Sequence, residues 1–159
     1  MDKEERAHAD HAQALRLWLR MLTCTGLIEQ QVRSALREQF DTTLPRFDLM
    51  AQLERHSAGL KMNDLSRRLM VTGGNVTGIT DQLVAEGLVE RVAVPGDRRA
   101  ALVRLTPSGR TSFAAMARAH EAWIVQAFGD LSEADMASLH TLLGRVKTSA
   151  SAHFQAVLA

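Results

Sequence analysis

Residues 88–105 read LVERVAVPGDRRAALVRL. Two runs rich in valine and leucine flank Pro95-Gly96-Asp97, which is strong turn chemistry, so the stretch predicts a β-hairpin. Its tip carries Arg98 and Arg99 side by side. Adjacent like charges repel and a turn needs neither of them, so the pair points to an anionic partner outside the fold. Thr106-Pro107 follows at once, an N-cap residue with proline at the first helical position, so a helix begins where the hairpin ends.

Upstream of the hairpin, KMNDLSRRLM (61–70) places Met62, Leu65 and Leu69 on one face and predicts a helix of about ten residues. Val71-Thr72-Gly73 breaks it. GGNVTGITDQLVAEG (73–87) then turns Val76, Ile79, Leu83 and Val84 inward and ends at Gly87, a natural C′ residue. Two short helices joined by a tight glycine-containing turn form a helix-turn-helix, and the hairpin behind them makes it a winged helix.

That arrangement has a use for the tip arginines. The second short helix lies in the major groove of DNA, and arginines at the wing tip enter the minor groove, where negative potential is concentrated. The outward face of the helix offers Gly74, Asn75, Thr77, Gly78 and Thr80, small or hydrogen-bonding residues that let the backbone approach closely. Asn75 and Thr77 are suited to base edges or to phosphates alone. Arg67 and Arg68, on the preceding helix, are either phosphate contacts or solvated surface. Asp97 belongs to the tip with Arg98 and Arg99, and one of the two arginines has Asp97 or Asp81 as an alternative partner that would brace the wing.

On either side of this lobe the chain reads as helix. From about Asp10 to Gln39, Leu15, Leu19, Leu22, Ile28, Val32 and Leu36 recur near helical spacing without a proline. Such a helix spans about 45 Å, more than one compact domain of this size covers, so part of it is expected to pack on a second chain. Thr42-Thr43-Leu44-Pro45 predicts the next helix start, with Phe47, Met50 and Leu53 on its apolar face. Beyond the hairpin, Phe113, Met116, His120, Trp123 or Ile124, and Ala127 carry a helix to about Phe128. Ser132 with Asp135 then forms a capping box, unusual in having Asp at its third position, ahead of Met136, Leu139, Leu143 and Val146.

The expected fold class is therefore mainly α with a small β-hairpin wing. It divides into an N-terminal dimerisation helix (1–44), a winged helix-turn-helix lobe (45–106) and C-terminal dimerisation helices (107–159), all in one intertwined domain. At 159 residues with 46% hydrophobic and 23% charged side chains, the chain has the composition of a folded globular protein. Its net charge is only +1, yet residues 61–110 hold eight Lys/Arg against five Asp/Glu, so the basic balance lies in the proposed DNA-binding lobe.

The N-terminus MDKEERAHAD is charged where a signal peptide would be apolar, and no run approaches a membrane span, so a cytoplasmic protein with no membrane partner is expected. One cysteine, Cys24, fits a reducing compartment. A glycine-rich phosphate loop, an HExxH and a GxSxG are all missing, and the acidic residues scatter along helix faces, which argues against an enzyme. His8 and His11 sit three apart beside Asp10 near a chain end, and neither a metal nor a cofactor is expected.

LSRRLMVTGGNVTGITDQLVAEGLVERVAVPGDRRAALVRLTPSGR, from Leu65 to Arg110, resembles the MarR family of bacterial winged-helix transcription factors. The GLVER entry, the Asp97-Arg98-Arg99 tip and the LTPSGR exit resemble that family's hallmarks in their usual order. The match is close over about a third of the chain and follows the helix pattern elsewhere. The resemblance implies a homodimer, its first helix and last two helices interlocked, that binds a pseudo-palindromic double-stranded operator and usually represses. Many members carry arginine where Gly78 stands, so readout here leans on Asn75, Thr77 and the wing.

RLWLRMLTCTGLIEQQVR and TTLPRFDLMAQLER also resemble a branch that controls catabolism of aromatic acids, hydroxycinnamates among them, some members of which sense aryl-CoA thioesters. In the family, effectors lie between the dimer helices and the DNA-binding lobe. That places Trp18, Arg20, Arg46, Phe47, Phe113 and His120 among the lining residues, although side chains such as Trp18, Phe47 and Phe113 more often serve core or dimer packing than ligand lining. The implied effector is an aromatic acid or an aryl-CoA. The alternative is a thiol redox sensor acting through Cys24, close to where peroxide-sensing members keep a reactive cysteine. Those sensors hold the thiolate with tyrosines, and this chain has no tyrosine.

Overall fold

The computed structural model describes residues 3–69 and 75–158. Cα packing divides the chain into two compact units, one ending at Glu121 and the other running from Ala122 to Ala159.

In the first unit, α1 (Lys3–Phe40) is longer than the periodicity predicted. It stops in a left-handed turn at Asp41 (φ 49°), where the Thr42 N–H returns to the Leu36 carbonyl at 3.3 Å. The C-terminal part of α1 is anchored in this unit through Val32 and Leu36, both buried. α2 (Leu44–Glu54) starts as expected: Thr43 is extended and its hydroxyl accepts the Arg46 N–H at 3.4 Å. Phe47, Leu49, Met50 and Leu53 form its buried face.

A two-residue strand, β1 (Leu60–Lys61), precedes α3 (Met62–Arg68) and is not foreshadowed by the residue pattern. Two residues are too few to show a period, and β1 exists because Leu60 and Lys61 pair with Val103 and Leu102. α3 has seven residues where about ten were expected, because Leu69 is already extended (ψ 121°). The glycine turn assigned to Val71-Thr72-Gly73 lies outside the described residues. α4 (Val76–Ala85) is capped by Asn75 and ends at Glu86, with Gly87 at φ +73° taking the left-handed C′ position that a side chain disfavours.

β2 (Val89–Val94) and β3 (Asp97–Leu105) form the hairpin across Pro95-Gly96, and the sheet order is β1-β3-β2, antiparallel throughout. Alternate residues Val103 and Leu105, with Val89 and Leu60, turn into the core beside Leu65 and Leu83. α5 (Pro107–Ala127) is capped by Thr106, whose hydroxyl accepts the Gly109 N–H at 3.0 Å and donates to the Gly87 carbonyl at 2.6 Å. One side chain thus joins the segment that leaves α4 to the start of α5.

In the second unit, α6 (Glu133–Leu158) opens with the expected capping box: Ser132 Oγ accepts from the Asp135 N–H at 3.1 Å, and Asp135 Oδ2 accepts from the Ser132 N–H at 3.3 Å. Met136, Leu139, Leu143 and Val146 of its apolar stripe are exposed in the single chain. Among the described residues no helix is long and apolar enough to cross a membrane.

Candidate nucleic-acid interface

The exposed face of α4 is built by its cap. Asn75 Oδ1 accepts the Gly78 N–H at 3.1 Å, which fixes the side chain beside Gly78. Of the residues expected there, Asn75 and Thr77 are exposed and Gly78 is half-buried. Gly74 lies outside the described residues.

Thr80 is a correction. It is fully buried, its hydroxyl donates to the Val76 carbonyl at 2.7 Å, and with Leu83 it forms the buried line of the helix, so its side chain does not face DNA. A threonine reads as polar and therefore outward; the bond to the carbonyl four residues back is what lets it turn inward. Val76, Ile79 and Val84 are only half-buried.

The wing tip holds Arg98 and Arg99 exposed. The ladder passes from Ala93↔Ala101 to Val94↔Asp97, so Arg98, Arg99 and Ala100 fall in an irregularity of β3. Asp97 Oδ1 accepts the backbone N–H of Arg99 at 3.0 Å, bracing the tip through the main chain and not through a guanidinium. Asp81 is taken by Arg91 of β2, a residue the sequence reading did not single out. On α3, Arg68 is exposed, while Arg67 pairs with Asp64 at 2.7 Å and reaches the Asn63 carbonyl at 3.3 Å.

Of the expected effector residues, three come together. Phe47 of α2 stacks on Phe113 of α5 with ring centroids 5.4 Å apart, and lies 4.9 Å from the His120 ring. Burial holds the His120 imidazole below its usual pKa. Arg46, next to Phe47, is engaged elsewhere: it donates to Glu86 Oε1 at 3.1 Å, to Glu86 Oε2, and from Nε to Thr42 Oγ1 at 3.2 Å. Trp18 and Arg20 stand exposed on α1, outside the ring cluster.

A helix pair, a three-stranded sheet and a projecting basic hairpin define a winged helix, a class of DNA-binding protein. A family model described as "MarR family" matches residues 40–100. The chain is 31% identical to the "Transcriptional activatory protein BadR" of Rhodopseudomonas palustris, over 88% of this chain and 82% of that one. It superimposes on a MarR family transcriptional regulator from Silicibacter pomeroyi with TM-score 0.74 and 30% identity, covering 94% of this chain and 99% of that one. A mutant MarR from E. coli complexed with operator DNA shares the fold at TM-score 0.72 and 23% identity, over 84% of this chain and 95% of that one. This chain belongs to the MarR family of winged-helix transcriptional regulators. It is a DNA-binding regulator and not an enzyme.

Proposed function

We propose that the chain acts in the cytoplasm as a homodimeric repressor, released from a pseudo-palindromic operator by an aromatic carboxylate or its CoA thioester. The observation that carries the DNA-binding part is the wing tip: Arg98 and Arg99 are exposed and make no ion pair among the described residues. In this reading α4 presents Asn75 and Thr77 to the major groove while the tip enters the minor groove, and Arg68 meets phosphate. Dimerisation is supported by Leu15, Trp18, Leu19 and Leu22 on α1 and by the exposed stripe of α6, more apolar surface than a monomer leaves to water. The ring cluster Phe47–Phe113–His120 supports an aromatic ligand, with Arg20 as the cation for its anionic group, since Arg46 is held by Glu86 and Thr42.

Sedimentation at micromolar concentration, followed by footprinting on DNA selected in vitro, tests the assembly. A dimer protecting an inverted repeat with half-sites about 10 base pairs apart is expected. A monomer, or a single unrepeated site, overturns it. Titrating the complex with 4-hydroxycinnamate and with its CoA thioester tests the ligand class, and release by neither rejects it.

Activation is the second reading, favoured by the relative whose name is "Transcriptional activatory protein". A reporter that loses expression when the regulator is deleted decides for it. The Cys24 thiol has no role in this account; it is exposed, and the chain offers no second cysteine. Cys24→Ser is expected to leave operator binding and release intact.

A further inference from the structure

α4 buries few side chains completely. They are Thr80 and Leu83, three residues apart, flanked by the half-buried Val76, Ile79 and Val84, so the fully buried contact is one narrow line that by itself does little to stop the helix rolling. Polar links resist that roll. Among the described residues, the ion pairs Arg33–Glu29 and Arg67–Asp64 lie within single helices, and Arg104–Glu90 joins two paired strands. Of the ion pairs among the described residues, only Arg46–Glu86 and Arg91–Asp81 join α4 to another element.

The Arg46 link has the more constrained geometry. Both guanidinium Nη atoms meet both Glu86 oxygens, a fork-on-fork contact that fixes direction as well as distance. Thr42, ahead of the α2 cap, holds the Nε side of the same group. The Arg46 side chain is 16% exposed and that of Glu86 48% exposed, so the arginine is the fixed half and the glutamate the half drawn to it. Partly exposed ion pairs add little to stability, so the contact is better explained by what it orients.

We propose that Arg46 is a positioning residue for DNA reading: from α2 it clamps the C-terminal end of α4 through Glu86 and sets the angle at which Asn75 and Thr77 meet the bases. Asn75 and Glu86 are eleven residues apart. At 1.5 Å per residue that is about 16 Å, so a tilt of about 10° at the clamped end moves the reading end by about 3 Å, enough to break a hydrogen bond to a base. The clamp itself lies too far along the helix to share a base edge with Asn75. The inference rests on α4 being the helix that enters the major groove.

The test is a double-mutant cycle on an in-vitro-selected operator: Arg46→Met, Glu86→Ala, the double variant and the exchange Arg46→Glu/Glu86→Arg, with Thr77→Ala as reference and binding measured well below each melting temperature. Each single variant is expected to lose about tenfold in operator affinity, with random-DNA affinity and salt slope unchanged, and the double variant to lose no more than either single one. The exchange variant is expected to recover part of the loss, which a merely structural role would not give. Operator affinity at the wild-type level in both single variants overturns the inference. So does an additive double variant, or an equal loss on random DNA with a reduced salt slope, which would make Arg46 a phosphate contact. If Thr77→Ala weakens operator binding while the cycle shows nothing, only the clamp fails; if Thr77→Ala also binds normally, the placement of α4 fails and the clamp with it.

Discussion

Arg91 of β2 donates from Nη2 to Oδ1 of Asp81 on α4, so the wing is tied to α4 by a residue outside its tip. Asp81 was a potential anchor for the tip arginines. With Arg91 on that carboxylate and Asp97 spent on a backbone N–H, Arg98 and Arg99 remain available to a ligand.

For the tip this sets a salt-dependence experiment. Each of Arg98→Ala and Arg99→Ala, made in a dimer, removes two cationic contacts. The slope of log K against log salt is expected to fall by up to about 1.8, at about 0.9 per phosphate contact. Thermal stability is expected to stay within about 0.5 kcal/mol of wild type, since neither side chain packs. Wild-type affinity and slope in both variants would show that the wing does not touch DNA.

Asn75 has two separable jobs. Asn75→Ala loses the helix cap, at a cost of about 1 kcal/mol in unfolding, as well as any base contact. Asn75→Ser keeps an oxygen for the Gly78 N–H and removes the amide. Melting close to wild type with weaker discrimination between operator and random DNA is expected for the serine variant. Unchanged discrimination would leave Asn75 as a cap alone.

Thr77 is exposed on the same face without a capping role. Thr77→Ala is expected to cost about 1–3 kcal/mol on the operator if it reads a base, and much less on random DNA. Equal losses on both would reassign it to phosphate.

His120 makes folding pH-dependent. Burial lowers its pKa in the folded state, so the unfolded chain takes up the proton first as pH falls. Its stabilising contribution is complete above the ordinary histidine value of about 6.5 and is lost as pH drops from there toward the lowered folded value. His120→Phe keeps a ring against Phe47 and removes the titration. Melting temperatures of the two proteins are expected to diverge between pH 7.5 and 5.5, the wild type falling further; parallel curves would refute the assignment.

Gly109 lies under the chain that leaves α4. A Cβ at this position would stand 1.9 Å from the Leu88 carbonyl oxygen, a backbone atom unable to swing aside. Gly109→Ala is expected to destabilise by about 2 kcal/mol or more, because the start of α5 must shift away from the sheet. Denaturant unfolding measures this, and a near-neutral result would mean that α5 docks differently.

What could be read from the residues alone was whatever is decided within a few positions of chain. The caps at Thr43, Thr106 and Ser132, the C′ glycine at 87, the Pro95-Gly96 turn and the apolar spacing of the long helices each depend on neighbours at most four or so residues away. They were enough to establish a winged helix and a basic wing tip. Tertiary structure decided the rest. β1 is two residues that become a strand only because β3 lies beside them. Thr80 is buried because the helix is docked on that side and its hydroxyl is satisfied by its own backbone. The grip on α4 joins residues 40 and 10 positions apart, Arg46 with Glu86 and Arg91 with Asp81. Every arginine in the sequence carries the same charge; which carboxylate it meets, and which arginine stays exposed at the wing tip, is settled only when the elements pack.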